Sequence, residues 1–132
     1  MDIKNKPITE QLQDALGYCK SRGYSILLTA DTNSHSKLWG NETNTRGKKW
    51  EEIIETEHLL VHNQGRIPTF ESKNGKSIID VTLSHRLPYT LENWRVLRSY
   101  NGVRVCARAR ATAHTHSYML HACRPELAST ET

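Results

Sequence analysis

From Tyr24 to Ala30 the chain is an almost unbroken apolar run, and it ends abruptly in Asp31-Thr32-Asn33-Ser34-His35. A continuous run of this kind, set off by Gly23 from a helical pattern before it, predicts a strand buried on both faces. Strands of that type need helices to cover them, which restricts the chain to an α/β architecture. Asp31 and Asn33 stand at the exit of the strand. In open α/β folds ligands gather at that edge, so the two polar side chains are placed to converge on one phosphate or metal. Both residue types also form turns by bonding their own backbone, and the local string supports either reading.

The helical pattern before the strand runs from about Ile8 to Arg22, with Leu12, Ala15, Leu16 and Cys19 at helical spacing and Gln11, Asp14 and Lys20 off that face. Gly23 supplies the stop. After Gly40 the polar loop Asn41 to Gly47 offers caps for a second helix, expected from Lys48 to Glu57 with Trp50, Ile53 and Ile54 inward. A short strand, Leu59-Leu60-Val61, leads into His62-Asn63-Gln64-Gly65. Asn74-Gly75 is the clearest turn signal, joining Thr69-Phe70-Glu71 to a strand from Lys76 to Leu83 as a hairpin. Asp80 interrupts that apolar strand; a carboxylate there costs desolvation, so it is either paired or part of a site. Asn93 to Leu97 is the last strand expected.

A chain of 132 residues fits one domain. Its 18 Lys and Arg against 14 Asp and Glu suit a polyanionic partner, although a net charge of +4 is also ordinary for a soluble protein. No apolar run reaches the length of a signal core or a membrane span, so an intracellular protein without a membrane partner is expected. Cys19, Cys106 and Cys123 have neither the number of a disulfide framework nor the spacing of a structural zinc site. Nothing in the pattern points to a small-molecule substrate or fixes an oligomeric state.

The run from Ala30 to Gly40, then Asn44-Thr45-Arg46-Gly47, Val61-His62-Asn63, Pro68-Thr69-Phe70 and Ser77-Ile78-Ile79-Asp80-Val81-Thr82-Leu83, fall in one order and spacing across residues 7–100. Together they resemble the endonuclease domain of non-long-terminal-repeat retrotransposons, a branch of the endonuclease/exonuclease/phosphatase superfamily. The resemblance implies an α/β fold, part of a two-sheet sandwich flanked by helices. It also implies magnesium-assisted hydrolysis of a DNA phosphodiester that nicks target DNA for retrotransposition, in the nucleus. Asp31 matches the aspartate that aligns or deprotonates the attacking water, and Asn33 the asparagine that donates to a phosphoryl oxygen. Ser77 matches a serine near the scissile phosphate, and Asp80 the aspartate that orients a catalytic histidine. His35, in the same loop as Asp31, is a candidate DNA contact or a locally bonded loop residue. The chemistry is consistent, because a phosphodiester needs an oriented nucleophile, neutralised non-bridging oxygens and help for the leaving oxygen.

Departures from the family pattern carry their own expectations. Ala30 and Thr32 stand where the family has glycine and phenylalanine, which predicts a looser loop. The family's metal-binding glutamate and a further asparagine lie on strands before the first helix, and Ser99-Tyr100-Asn101 stands where the family has Ser-Asp-His. The resemblance therefore covers the C-terminal half of the domain, and the expectation is an incomplete sandwich, inactive alone. Its alternative is a non-catalytic remnant that at most binds nucleic acid weakly.

From Val103 to His116 the sequence alternates in pairs such as Ala-Arg and Thr-His, which alternating purine-pyrimidine repeats encode. Residues 101–132 are read as a low-complexity, disordered tail. Three other readings stay open: a half-buried strand with Arg104, Arg108 and Arg110 outward, a nucleic-acid arm using the same arginines, and zinc ligation by His114, His116, His121 and Cys123. Trp39, Trp50 and Trp94 are expected to pack in the core or against loops rather than to stack on bases. Lys48 and Lys49 oppose the dipole of the helix they begin, as solvated residues or phosphate contacts.

Overall fold

The computed structural model describes residues 10–99, 102–111 and 117–123, with side chains described as far as Arg98. Helix α1 (Glu10–Ser21) buries Leu16 and half-buries Leu12 and Cys19, while Ala15 faces solvent. Its stop is a Schellman motif. Gly23 takes φ +68°, its N–H reaches the Lys20 carbonyl at 3.0 Å, and the Tyr24 N–H reaches the Cys19 carbonyl at 2.9 Å.

Strand β1 (Ile26–Asp31) then pairs antiparallel with β5 (Asp80–His85) over its whole length, from Ile26 opposite His85 to Asp31 opposite Asp80. The short β2 (Leu60–Val61) covers the other side of β5, giving the sheet order β1-β5-β2. This corrects the reading of the Tyr24 run as a strand buried on both faces. The strand starts at Ile26, Tyr24 and Thr29 are exposed, and the buried strand is β5, with Val81 1% and Leu83 0% exposed. An apolar run gives no information on which strand is central, and β5 carries the neighbours on both edges. The antiparallel pairing also replaces the parallel-sheet ligand edge with a different arrangement, the exit of β1 facing the entry of β5.

Helix α2 (Thr45–Thr56) begins three residues earlier than its apolar periodicity suggested, because Asn44 caps it by accepting from the Gly47 N–H at 2.8 Å. Trp50, Ile53 and Ile54 are buried and join Leu16, Ile26, Trp39, Leu59, Ile78, Val81 and Leu83 in one core. Lys20 links the helices, its Nζ donating to the Glu57 carbonyl at 2.5 Å and pairing with the Glu57 carboxylate at 2.7 Å.

The hairpin comes from β3 (Phe70–Ser72) and β4 (Gly75–Ser77), which turn at Lys73-Asn74, one residue before the expected position. The expected strand from Lys76 to Leu83 is interrupted at Ile78-Ile79, where the chain passes from the hairpin into the main sheet. Both isoleucines are 5% exposed, so the crossing point is buried and its backbone groups need partners.

Strand β6 (Tyr89–Ser99) is longer than the expected segment and carries an irregularity between Glu92 and Arg95 that spans Asn93 at φ +55°. Its Trp94 is buried and donates its indole N–H to Thr82 Oγ1 at 2.9 Å, binding β6 to the central strand. All three tryptophans are buried, as expected. Strands β7 (Gly102–Ala111) and β8 (Ser117–Cys123) form with β6 a separate sheet in the order β6-β7-β8. The alternating stretch thus includes strand backbone. His114 and His116 lie outside the described residues, as do the side chains of His121 and Cys123.

Candidate active site

The register places Asp31, last residue of β1, directly opposite Asp80, first residue of β5. Residues opposed in an antiparallel pair share one face with Cβ atoms ~4.5–5.5 Å apart. The register thus brings two carboxylates to one face at the exit of β1. Asp31 is exposed and Asp80 half-buried.

The chain leaves β1 through a turn in which the Asn33 N–H donates to Asp31 Oδ1 at 3.1 Å. The turn-forming and site-forming readings of Asp31 are therefore compatible, since the turn itself fixes the carboxylate. Asn33 is exposed and sits at φ +45°, a left-handed conformation that asparagine tolerates at some cost. Between them Thr32 is fully buried, its N–H and its Oγ1 both donating to the Ile79 carbonyl, at 2.8 and 2.9 Å. The looser loop expected from a threonine at this position is corrected here, because the hydroxyl adds a bond to the sheet crossing that an aromatic ring cannot make.

Asp80 is fixed through its backbone. Thr69, 3% exposed, accepts at Oγ1 from the Ile79 N–H at 3.0 Å and the Asp80 N–H at 3.1 Å. Asn63 Nδ2 donates to the Asp80 carbonyl at 2.9 Å, and its Oδ1 accepts from the Thr82 N–H at 2.9 Å. The Asn63 amide thus stands in for a strand residue just past the end of β2. Sequence reasoning gave Asn63 and Thr69 no role. The available signal was their place in the motifs Val61-His62-Asn63 and Pro68-Thr69-Phe70, an amide and a hydroxyl flanking Gly65 and Pro68.

Ser77 ends β4, half-buried, and its carbonyl accepts from the Thr69 N–H at 3.0 Å. The hairpin holding it is tied to β6 through Glu71, which pairs with Lys76 at 2.7 Å and Arg98 at 2.8 Å. Hydrogen bonds from Lys76 and then Arg98 hold the Glu71 carboxyl below the usual range. His35 is half-buried and enters through its backbone, its N–H donating to Asn44 Oδ1 at 3.2 Å and its carbonyl accepting from the Asn44 N–H at 3.1 Å. Asn41 bonds both backbone groups of Ile78, at 2.6 and 3.3 Å. Ser36 and Thr43 both donate to Glu51 Oε1, the latter at 2.9 Å. The loop from Thr32 to Thr43 is thereby fastened to α2 and to the sheet crossing.

His62 lies further along the sheet, Nε2 at 2.6 Å from Ser84 Oγ, and burial pushes its pKa down. Among the described residues no three His, Cys, Asp or Glu side chains are grouped to hold a metal ion. No helix among them is long and apolar enough to cross a membrane.

The family model described as endonuclease-reverse transcriptase matches residues 2–98, and the chain belongs to that family. Among solved structures it is similar to the endonuclease domain of TRAS1, a telomere-specific non-LTR retrotransposon, at 25% identity and a TM-score of 0.57. That match covers 70% of this chain and 45% of the TRAS1 domain chain, so the protein spans less than half of that relative's length. No curated protein matches the chain. The expected α/β fold of a retrotransposon endonuclease domain is the fold observed.

Proposed function

We propose that the chain carries the water-aligning and phosphate-holding side of a magnesium-dependent site for hydrolysing DNA phosphodiesters, as used to nick target DNA in retrotransposition. The observation that supports this reading most is the register pairing of Asp31 with Asp80 beside the Asn33 turn. Membership of an endonuclease family supports a nucleic-acid substrate.

In this reading the Asp31 carboxylate orients the attacking water, with one oxygen held by the Asn33 N–H. The Asn33 amide and the Ser77 hydroxyl donate to non-bridging phosphate oxygens. His35 is the second candidate for DNA contact through its ring, while its backbone holds the loop. The donor set suits magnesium only together with substrate, since that ion leans on one or two carboxylates, retained waters and phosphate oxygens. Asp31 is the carboxylate of this chain that would hold it, with waters and the phosphate completing the shell. When bound, the ion supplies charge neutralisation at the phosphate and assistance to the leaving oxygen.

Asp80 is the residue a catalytic histidine would lean on, and Ser99-Tyr100-Asn101 offers none in the family's position. The chain by itself is accordingly expected to bind duplex DNA in a magnesium-dependent way with little or no turnover. Plasmid nicking and duplex binding, each with magnesium or with ionic-strength-matched potassium and beside an Asp31→Ala control, test this. Binding that gains from magnesium only when Asp31 is present supports the reading. Binding that depends on salt alone reduces the chain to a basic surface with no working site.

A further inference from the structure

We infer that Arg46 is a positioning residue for the Asp31–Asn33 turn, acting on the peptide that joins Thr32 to Asn33; the inference rests on the function proposed above. Arg46 lies in the first turn of α2, half-buried, and its Nε donates to the Thr32 carbonyl at 3.0 Å. That carbonyl belongs to the peptide whose nitrogen is the Asn33 N–H, the group bonded to Asp31 Oδ1. One peptide plane is therefore held from both sides, by a guanidinium on its oxygen and a carboxylate on its nitrogen. Its orientation sets the φ of Asn33, the left-handed value of +45°.

Three further observations point the same way. The first turn of α2 contains no acidic residue, and Arg46 is followed by Lys48 and Lys49, so a cation here works against the helix dipole. Helix stability therefore does not account for an arginine at this position. Next, Thr32 is anchored to Ile79 through its N–H and hydroxyl, which leaves the carbonyl as the group that decides how the chain turns into Asn33. Finally, Gly47 admits the loop against the helix. A Cβ there would lie 1.7 Å from the His35 carbonyl oxygen, so the arginine and the loop meet only because glycine follows. A guanidinium also offers planar donors that can fix the plane of the peptide, where a lysine would offer only a point charge.

The test compares the full chain with Arg46→Met and Arg46→Lys. The readouts are the Asn33 amide-to-α-proton coupling with its carbon shifts, which report the sign of φ, magnesium-dependent duplex binding, and thermal unfolding. In Arg46→Met, Asn33 is expected to lose its left-handed signature and magnesium-dependent binding to fall about tenfold, a difference of ~1.4 kcal/mol. The chain should remain folded in all three forms, and Arg46→Lys should restore part of both losses. An unchanged Asn33 signature in Arg46→Met overturns the inference. So does an equal loss of binding with and without magnesium, which would make Arg46 a plain phosphate contact. Should Arg46→Met not fold, the Asn33 signature in Arg46→Lys decides the matter. If the unaltered chain shows no magnesium-dependent binding, the nuclease reading fails while the Asn33 signature still decides the role of Arg46.

Discussion

Replacing Gly47 by alanine should destabilise the protein, against the ordinary expectation for a glycine inside a helix. On propensity alone the change gains ~1 kcal/mol. Here the new Cβ would sit 1.7 Å from the His35 carbonyl oxygen and 2.7 Å from its carbon, well inside the 3.0 Å that real Cβ contacts respect. The obstacle is backbone, so the loop has to retreat from α2 by more than ~1 Å. Three hydrogen bonds depend on that approach: His35 N–H to Asn44 Oδ1 at 3.2 Å, Asn44 N–H to the His35 carbonyl at 3.1 Å, and Arg46 Nε to the Thr32 carbonyl at 3.0 Å. At ~1 kcal/mol each they outweigh the propensity gain, for a net loss of ~2 kcal/mol. Urea titration at constant m-value measures it directly, and the melting temperature should drop by roughly 8 °C. A variant as stable as the parent, or more so, would refute the docking of this loop on the helix.

Thr69→Val keeps the shape and removes the acceptor of the Ile79 and Asp80 amides, and should cost ~2 kcal/mol in urea unfolding. Asn63→Asp sets a carboxylate oxygen against the Asp80 carbonyl in place of a donor; a loss of ~2–3 kcal/mol is expected, visible as a lower denaturation midpoint. His62 is held below its ordinary pKa by burial, so as pH falls the unfolded chain takes up a proton before the folded one. This contribution to stability is fully present above about pH 6.5 and declines as pH drops from there towards the folded value. Unfolding midpoints across that range should show the decline, and His62→Gln should flatten it.

What could be read from the sequence followed the strength of local signals. Asn74-Gly75 marked the hairpin to within one residue, and Gly23 marked the end of α1, because both need backbone conformations that few residues adopt. The start of α2 was missed because capping by Asn44 recruits Thr45, Arg46 and Gly47, none of which adds to an apolar stripe. Burial of β1 was overestimated because periodicity describes one strand, whereas centrality depends on which strands pair with it. Asp31 and Asn33 stood out at the exit of an apolar run and Asp80 as a carboxylate interrupting one, whereas Ser77 was marked only by the family resemblance. Their register was invisible, because 49 positions separate Asp31 from Asp80 and only strand pairing brings them together. The supporting side chains Thr69, Asn63 and Arg46 act on backbone groups, and a sequence carries no record of which backbone groups lack partners.

Asp31, Asn33 and Asp80 are proposed to act together on phosphate and metal. Titration of a short DNA duplex into the protein, followed through the Asn33 side-chain amide in magnesium and in ionic-strength-matched potassium, tests this most directly. Such a site should shift that amide and bind roughly tenfold tighter in magnesium, both effects lost in Asp31→Ala. Binding that leaves the Asn33 amide unmoved and is indifferent to magnesium and to Asp31 would contradict it.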